Sequence, residues 1–221
     1  IMASGEEVQK LAANPDVTGI QQDVADPPNL IESLPLIGMP VAWSAGATGA
    51  GFHVAVLDTG ARRTHEFLSS RIVSAACYST SSGSTSFSLC PGGASSSTDI
   101  GSANDCDNST IAGCGHGTHT SGIAAGFNTN LQAGEPSNGV GRDARLITIN
   151  VFSRFASSSC NGNFGSNGCV LATVADQIRG LERVFALRNT FAIASVNMSL
   201  GGGQFSAFCN SDSRKSIIDQ L

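Results

Sequence analysis

The sequence predicts a three-layer α/β/α fold built on a mainly parallel sheet, and three observations carry that expectation. Residues 52–57, 146–151 and 191–198 are apolar runs without in/out alternation, the pattern of strands covered on both faces. Between the last two, Val170, Leu171, Val174, Ile178, Leu181, Phe185 and Ala186 recur close to helical spacing. They predict a helix over 170–188 and a strand–helix–strand crossover. Finally, residues 115–126 pass from loop glycines to small and apolar residues, predicting a tightly packed helix that starts at His116.

Taken in order, residues 6–13 (Glu-Glu-Val-Gln-Lys-Leu-Ala-Ala) read as a short amphipathic helix stopped by Asn14-Pro15-Asp16. A strand over 17–22 follows, and then Asp26-Pro27-Pro28-Asn29 breaks regular structure, because proline lacks a donor and restricts the residue before it. After Trp43 comes the first buried strand, 52–57, which delivers Asp58. Residues 79–102 are Ser/Gly-rich and read as a loop insertion. The helix from His116, the strand 146–151, the helix 170–188 and the strand 191–198 complete the alternation. The last strand runs into Ser199-Leu200-Gly201-Gly202-Gly203.

With 221 residues, 41% apolar and 13% charged, the chain can bury one sizeable core with room for a small additional module. Its 26 glycines imply many tight turns and close backbone approaches. A net charge of −5 without a Lys/Arg cluster argues against nucleic acid or an anionic membrane as partner. The longest apolar stretches fall well short of the roughly 18 residues of a spanning helix. The N-terminus has neither a basic start nor an apolar signal core.

Seven cysteines lie in polar loop sequence, which suits disulfides formed in an oxidising compartment. Sequential pairing of Cys77 with Cys90, Cys106 with Cys114 and Cys160 with Cys169 would close three short loops and leave Cys209 over, although spacing alone does not fix the connectivity. A zinc site is the competing reading and lacks a C-x2-C pair.

Asp58 ends a buried strand before Thr59-Gly60, at the carboxyl edge of a sheet where open α/β folds place their ligands. On its own such an Asp is as often a turn former. Gly115-His116-Gly117-Thr118-His119-Thr120-Ser121-Gly122 is the stronger signal. A histidine opening a helix is disfavoured as a cation by the helix dipole, so as a base it needs an acid partner, and Asp58 is expected to meet it. His119 reads as a buried, hydrogen-bonded residue, and a His116/His119 zinc pair lacks the H-E-x-x-H spacing. Ser199-Leu200-Gly201 leaves a strand edge without bulky side chains, onto which an extended peptide could add through main-chain hydrogen bonds.

In their motifs and their order, these segments make the chain resemble the subtilisin-like serine proteases, over residues 11–221. The resemblance implies an Asp/His/Ser triad with Asp58 and His116 as catalytic residues and Ser199, Leu200 and Gly201 as the substrate-binding strand. It implies residues 1–30 to be the tail of an inhibitory propeptide and 31–221 the first part of the catalytic domain. The enzyme would be a secreted monomer acting on polypeptides, inhibited by its own propeptide and requiring no cofactor. Structural calcium is common in the family, although no carboxylate cluster here stands out for it, and no metal ligand is assigned. Two departures are notable: the 58 positions from Asp58 to His116 exceed the core family pattern, and a Gly-Thr-Ser-Met-Ala type nucleophile segment is absent. Residues 1–221 alone are therefore expected to be inert. Two other readings compete. Leu57-Asp58-Thr59-Gly60-Ala61, with Val140-Gly141-Arg142-Asp143, also resembles the retroviral-type aspartic proteases, which need two carboxylates sharing a proton. A non-catalytic module of the subtilisin-like fold is the third.

Overall fold

The computed structural model describes residues 5–15, 17, 30–130, 135–160, 166–202 and 206–221. Helix α1 (Gly5–Ala12) occupies the first expected position, with Lys10 paired to Glu6 one turn back. The expected strand over 17–22 and the linker at 26–29 lie outside the described residues, apart from Val17. Two short helices that the sequence reading had not assigned, α2 (Leu30–Leu36) and α3 (Met39–Ser44), follow. Pro40 sits in the first turn of α3, where its missing N–H costs nothing, and Gly38 at φ 78° provides the left-handed link between the helices.

The chain then builds β1 (His53–Asp58), β2 (Ile72–Tyr78), the short β3 (Ser86–Phe87) and β4 (Ser96–Ser97), and α4 (His116–Ala125). It continues through β5 (Arg145–Asn150), β6 (Phe152–Phe155), β7 (Cys169–Ala172), α5 (Val174–Leu187), β8 (Ile193–Asn197) and α6 (Lys215–Ile218). The main sheet has the order β4-β2-β5-β1-β8, parallel except for β4. One face presents Ala55, Leu57, Ile147 and Ile149 to Leu181, Val184 and Leu187 of α5. The other presents Val56 and Leu146 to Ala125 of α4, together with Ala61 and Leu68. Both faces are covered, which gives the three layers and explains why β1 and β5 read as unbroken apolar runs. Each fully buried Leu or Ile contributes roughly 1.5–3 kcal/mol from area removed from water.

The expected helix over 170–188 is corrected at its start. Val170 and Leu171 belong to β7, which joins β3 and β6 in a second, antiparallel sheet of order β3-β6-β7. Thr173 is extended and acts as N-cap, its Oγ1 accepting from the Asp176 amide at 3.2 Å, so the helix can begin only at Val174. The three sequential disulfides form, which overturns the zinc alternative, and Cys209 is exposed and unbridged. The insertion is held by more than Cys77–Cys90. Ser79 Oγ lies 2.9 Å from Ser153 Oγ, and Thr80 donates through its amide and hydroxyl to the buried Asp176.

Helix α4 is fastened at both ends by other segments. Its N-cap, Gly115, offers no side chain, and Thr59 Oγ1 accepts from the Gly117 amide instead, at 2.9 Å. At the far end, the carbonyls of Ile123 and Ala124 accept from the amides of Val140 and Gly141. The Phe67 ring fills the notch left by Gly122 and Gly126, where a Cβ at Gly126 would lie 2.1 Å from the ring.

Candidate active site

Strand β1 ends at Asp58 and α4 begins at His116, so the sheet's carboxyl edge and a helix N-terminus present the two groups to each other. His116 Nδ1 lies 2.7 Å from Asp58 Oδ1 and 3.0 Å from Oδ2. An ionised carboxylate only accepts, so Nδ1 carries the proton and Nε2 keeps its lone pair. The Asp58 side chain is 1% exposed and that of His116 46%, which leaves the imidazole open to an incoming group while its partner is sealed from water. Asp58 also receives the Thr59 amide at 2.7 Å on Oδ1 and the Thr120 hydroxyl at 3.1 Å on Oδ2. A buried carboxylate is tolerated only when its lone pairs are filled in this way.

The surrounding loops fix this geometry. Thr59 Oγ1, while accepting from Gly117, donates to the Cys114 carbonyl at 3.0 Å, so the aspartate turn grips the segment just ahead of the histidine. The Cys106–Cys114 bridge closes that segment, and Asn108 Oδ1 accepts from the Gly115 amide. Thr118 accepts from the Arg62 amide at 2.8 Å and donates to the half-buried Asp105, whose side chain is 5% exposed and which Arg62 also pairs.

Sequence reasoning did not single out the roles of Thr59, Asp105, Thr118 and Thr120. Their only sequence signal is a hydroxyl or carboxylate within a few positions of Asp58 or His116, and their partners lie as many as 62 positions away in the chain. His119 requires a correction. It is exposed, not buried, and lines a cavity of about 620 Å³ with Phe67, Leu68 and Ile123, because its position on α4 faces away from the sheet. The edge at Ser199 is also corrected in form. Strand β8 stops at Asn197, which pairs with Val56, and Ser199, Leu200 and Gly201 continue as irregular backbone. Ser199 Oγ and the Asn197 side chain lie 3.0 Å apart there. Among the described residues, no group of three or more His, Cys, Asp and Glu side chains converges to hold a metal ion.

The aspartic-protease alternative fails on geometry. The partner of Asp58 is an imidazole, its burial leaves no access for a second copy's carboxylate, and Asp143 is exposed beside Arg142. Residues 49–219 match the family model described as the Subtilase family. The chain belongs to the subtilase family. Among subtilases it is 33% identical to an extracellular serine proteinase of a Thermus species over 175 residues, covering 79% of this chain and 30% of that protein. It is 31% identical to an alkaline protease of Alkalihalobacillus alcalophilus over 160 residues, covering 71% of this chain and 33% of that protein. The chain thus spans about a third of the length of these relatives. A solved protease structure from Pseudoalteromonas arctica superimposes with a TM-score of 0.53 at 24% identity, covering 82% of this chain and 49% of that one, and supports the subtilase fold.

Proposed function

We propose that the protein to which these residues belong is a serine-type endopeptidase in which Asp58 and His116 are two members of the triad. The observation that carries this reading is the bond of His116 Nδ1 to a sealed Asp58. A serine outside residues 1–221 attacks the scissile carbonyl carbon while His116 Nε2 takes its proton. The imidazolium so formed is stabilised by Asp58 through Nδ1–H, which offsets the unfavourable helix N-terminus. Nε2 then returns the proton to the amine as the C–N bond breaks, and water repeats the cycle on the acyl-enzyme. Ser199–Gly201 is proposed to bind the extended substrate backbone beside this pair. The three disulfides and the extracellular relative support secretion, and residues 1–30 are inferred to be the end of an inhibitory propeptide.

The test is fluorophosphonate labelling of the complete protein. One serine should be labelled with loss of peptidase activity, and His116→Ala should reduce labelling and turnover by at least about 10^3-fold. Labelling that is indifferent to His116→Ala would remove the assignment, as would inhibition by a pepstatin-type compound in its place.

A further inference from the structure

The triad reading leaves one contact to Asp58 unused. Thr120 lies one turn beyond His116 on α4, so the two side chains share a helix face. Its Oγ1 is 3.1 Å from Asp58 Oδ2 and 3.2 Å from the Gly117 carbonyl. A helical threonine ordinarily returns its hydroxyl to the carbonyl three or four residues back. Here a carboxylate is equally close, and a charge-assisted bond is roughly twice as strong as a neutral one. Asp58 is buried, so water does not compete for Oδ2.

We propose that Thr120 is a positioning residue whose O–H donates to Asp58 Oδ2. Oδ1 is already held by the Thr59 amide, so this second donor stops the carboxylate rotating and keeps both oxygens turned toward Nδ1. It also withdraws part of the carboxylate's charge, so that Asp58 orients the imidazole without trapping the imidazolium, which must later release its proton. The inference rests on the peptidase reading of the Asp58–His116 pair, but one of its readouts needs no peptidase activity.

That readout is the NMR titration of the His116 ring in the complete protein, compared among the unaltered protein, Thr120→Val and Thr120→Ser. The valine variant keeps the shape and loses the donor. The other ionisable groups around the first turns of α4 (Arg62, His65, Asp105 and His119) are the same in all three. The ring resonances should titrate about half a pH unit higher in Thr120→Val, because the carboxylate regains charge, and should be unchanged in Thr120→Ser. In the complete protein, Thr120→Val should lower kcat about tenfold with KM within about twofold, and move the acid limb of kcat/KM to higher pH. If the valine variant does not fold, Thr120→Ala is read against Thr120→Ser in the same way. An unmoved titration in the valine or alanine variant would overturn the proposal, as would a serine variant that behaves like valine. A shifted titration in a complete protein without peptidase activity would sustain this inference and sink the peptidase reading.

Discussion

At Gly117 the helix of His116 packs directly against the turn after Asp58. A Cβ there would lie 2.1 Å from the Gly60 carbonyl oxygen and 3.0 Å from Asp58 Cβ, and both neighbours are too firmly held to yield. Gly117→Ala should therefore separate the two groups as well as strain the core. We expect a loss of roughly 1–3 kcal/mol in denaturant unfolding and at least about a 10^2-fold fall in kcat/KM of the complete protein. Activity within a factor of two of the parent would show that the contact tolerates a methyl. The Asp58–His116 pair was legible in the sequence because each residue stands in a short motif whose glycines and apolar flanks announce a buried strand or a helix start. Thr120 and Thr59 were not, since a threonine's hydroxyl has no meaning until its acceptor is known. His119 misled for a related reason, because a histidine among small residues suggests burial and only the helix's orientation decides it.

At the scale of elements, the segment between Cys106 and Cys114 shows how a loop can hold its shape without regular structure. Asp107 accepts from the Ser109 hydroxyl, the Ser109 amide and the Thr110 hydroxyl. The Ser109 hydroxyl foremost, followed by its amide, holds the carboxyl below its ordinary value of 3.8. A carboxylate depressed on folding stabilises its turn above the unfolded value and loses that contribution as pH falls through the lower folded value. The protection factor of the Ser109 amide should therefore be constant near neutrality and fall below about pH 4, whereas Asp107→Asn should show no such step. An identical acid-side loss in both proteins would assign it elsewhere. Among the elements, β1, β5 and the helix from His116 were readable because double-sided burial or small-residue packing leaves a mark on the sequence. Strand β8 forms where its apolar run predicted a strand, but at the sheet's edge it has no buried residue and is not covered on both faces as expected. The helices α2 and α3 were not readable, because Pro35 and Pro40 count as breakers in sequence yet are accommodated in these short helices. Strand β7 was absorbed into the following helix because Val170 and Leu171 happen to lie in phase with it.

Across the whole molecule, the main sheet is the common wall of two apolar layers, and Ile149 lies at its centre on β5 between β2 and β1. It is 0% exposed and packs with Leu181 and Val184. Ile149→Ala should cost roughly 2–5 kcal/mol with an unchanged denaturant slope; a cost under about 1 kcal/mol would mean that the layers collapse onto the vacated space. The three-layer class followed from the apolar runs together with the two helical patterns between them, but the order β4-β2-β5-β1-β8 did not, because pairing between distant strands leaves no local trace. The notch at Gly122 and Gly126 has a consequence at this largest scale. The Phe67 ring works as a key in a keyway, blocking α4 from sliding along its own axis. At 1.5 Å of rise per residue, Gly126 stands about 15 Å from His116, so the height of the imidazole above the sheet is set by a ring at the opposite end of the helix. Alignment of the acid and the base is thus a property of a shaft located at its far bearing, and side chains with no contact to either group can throw it out of true.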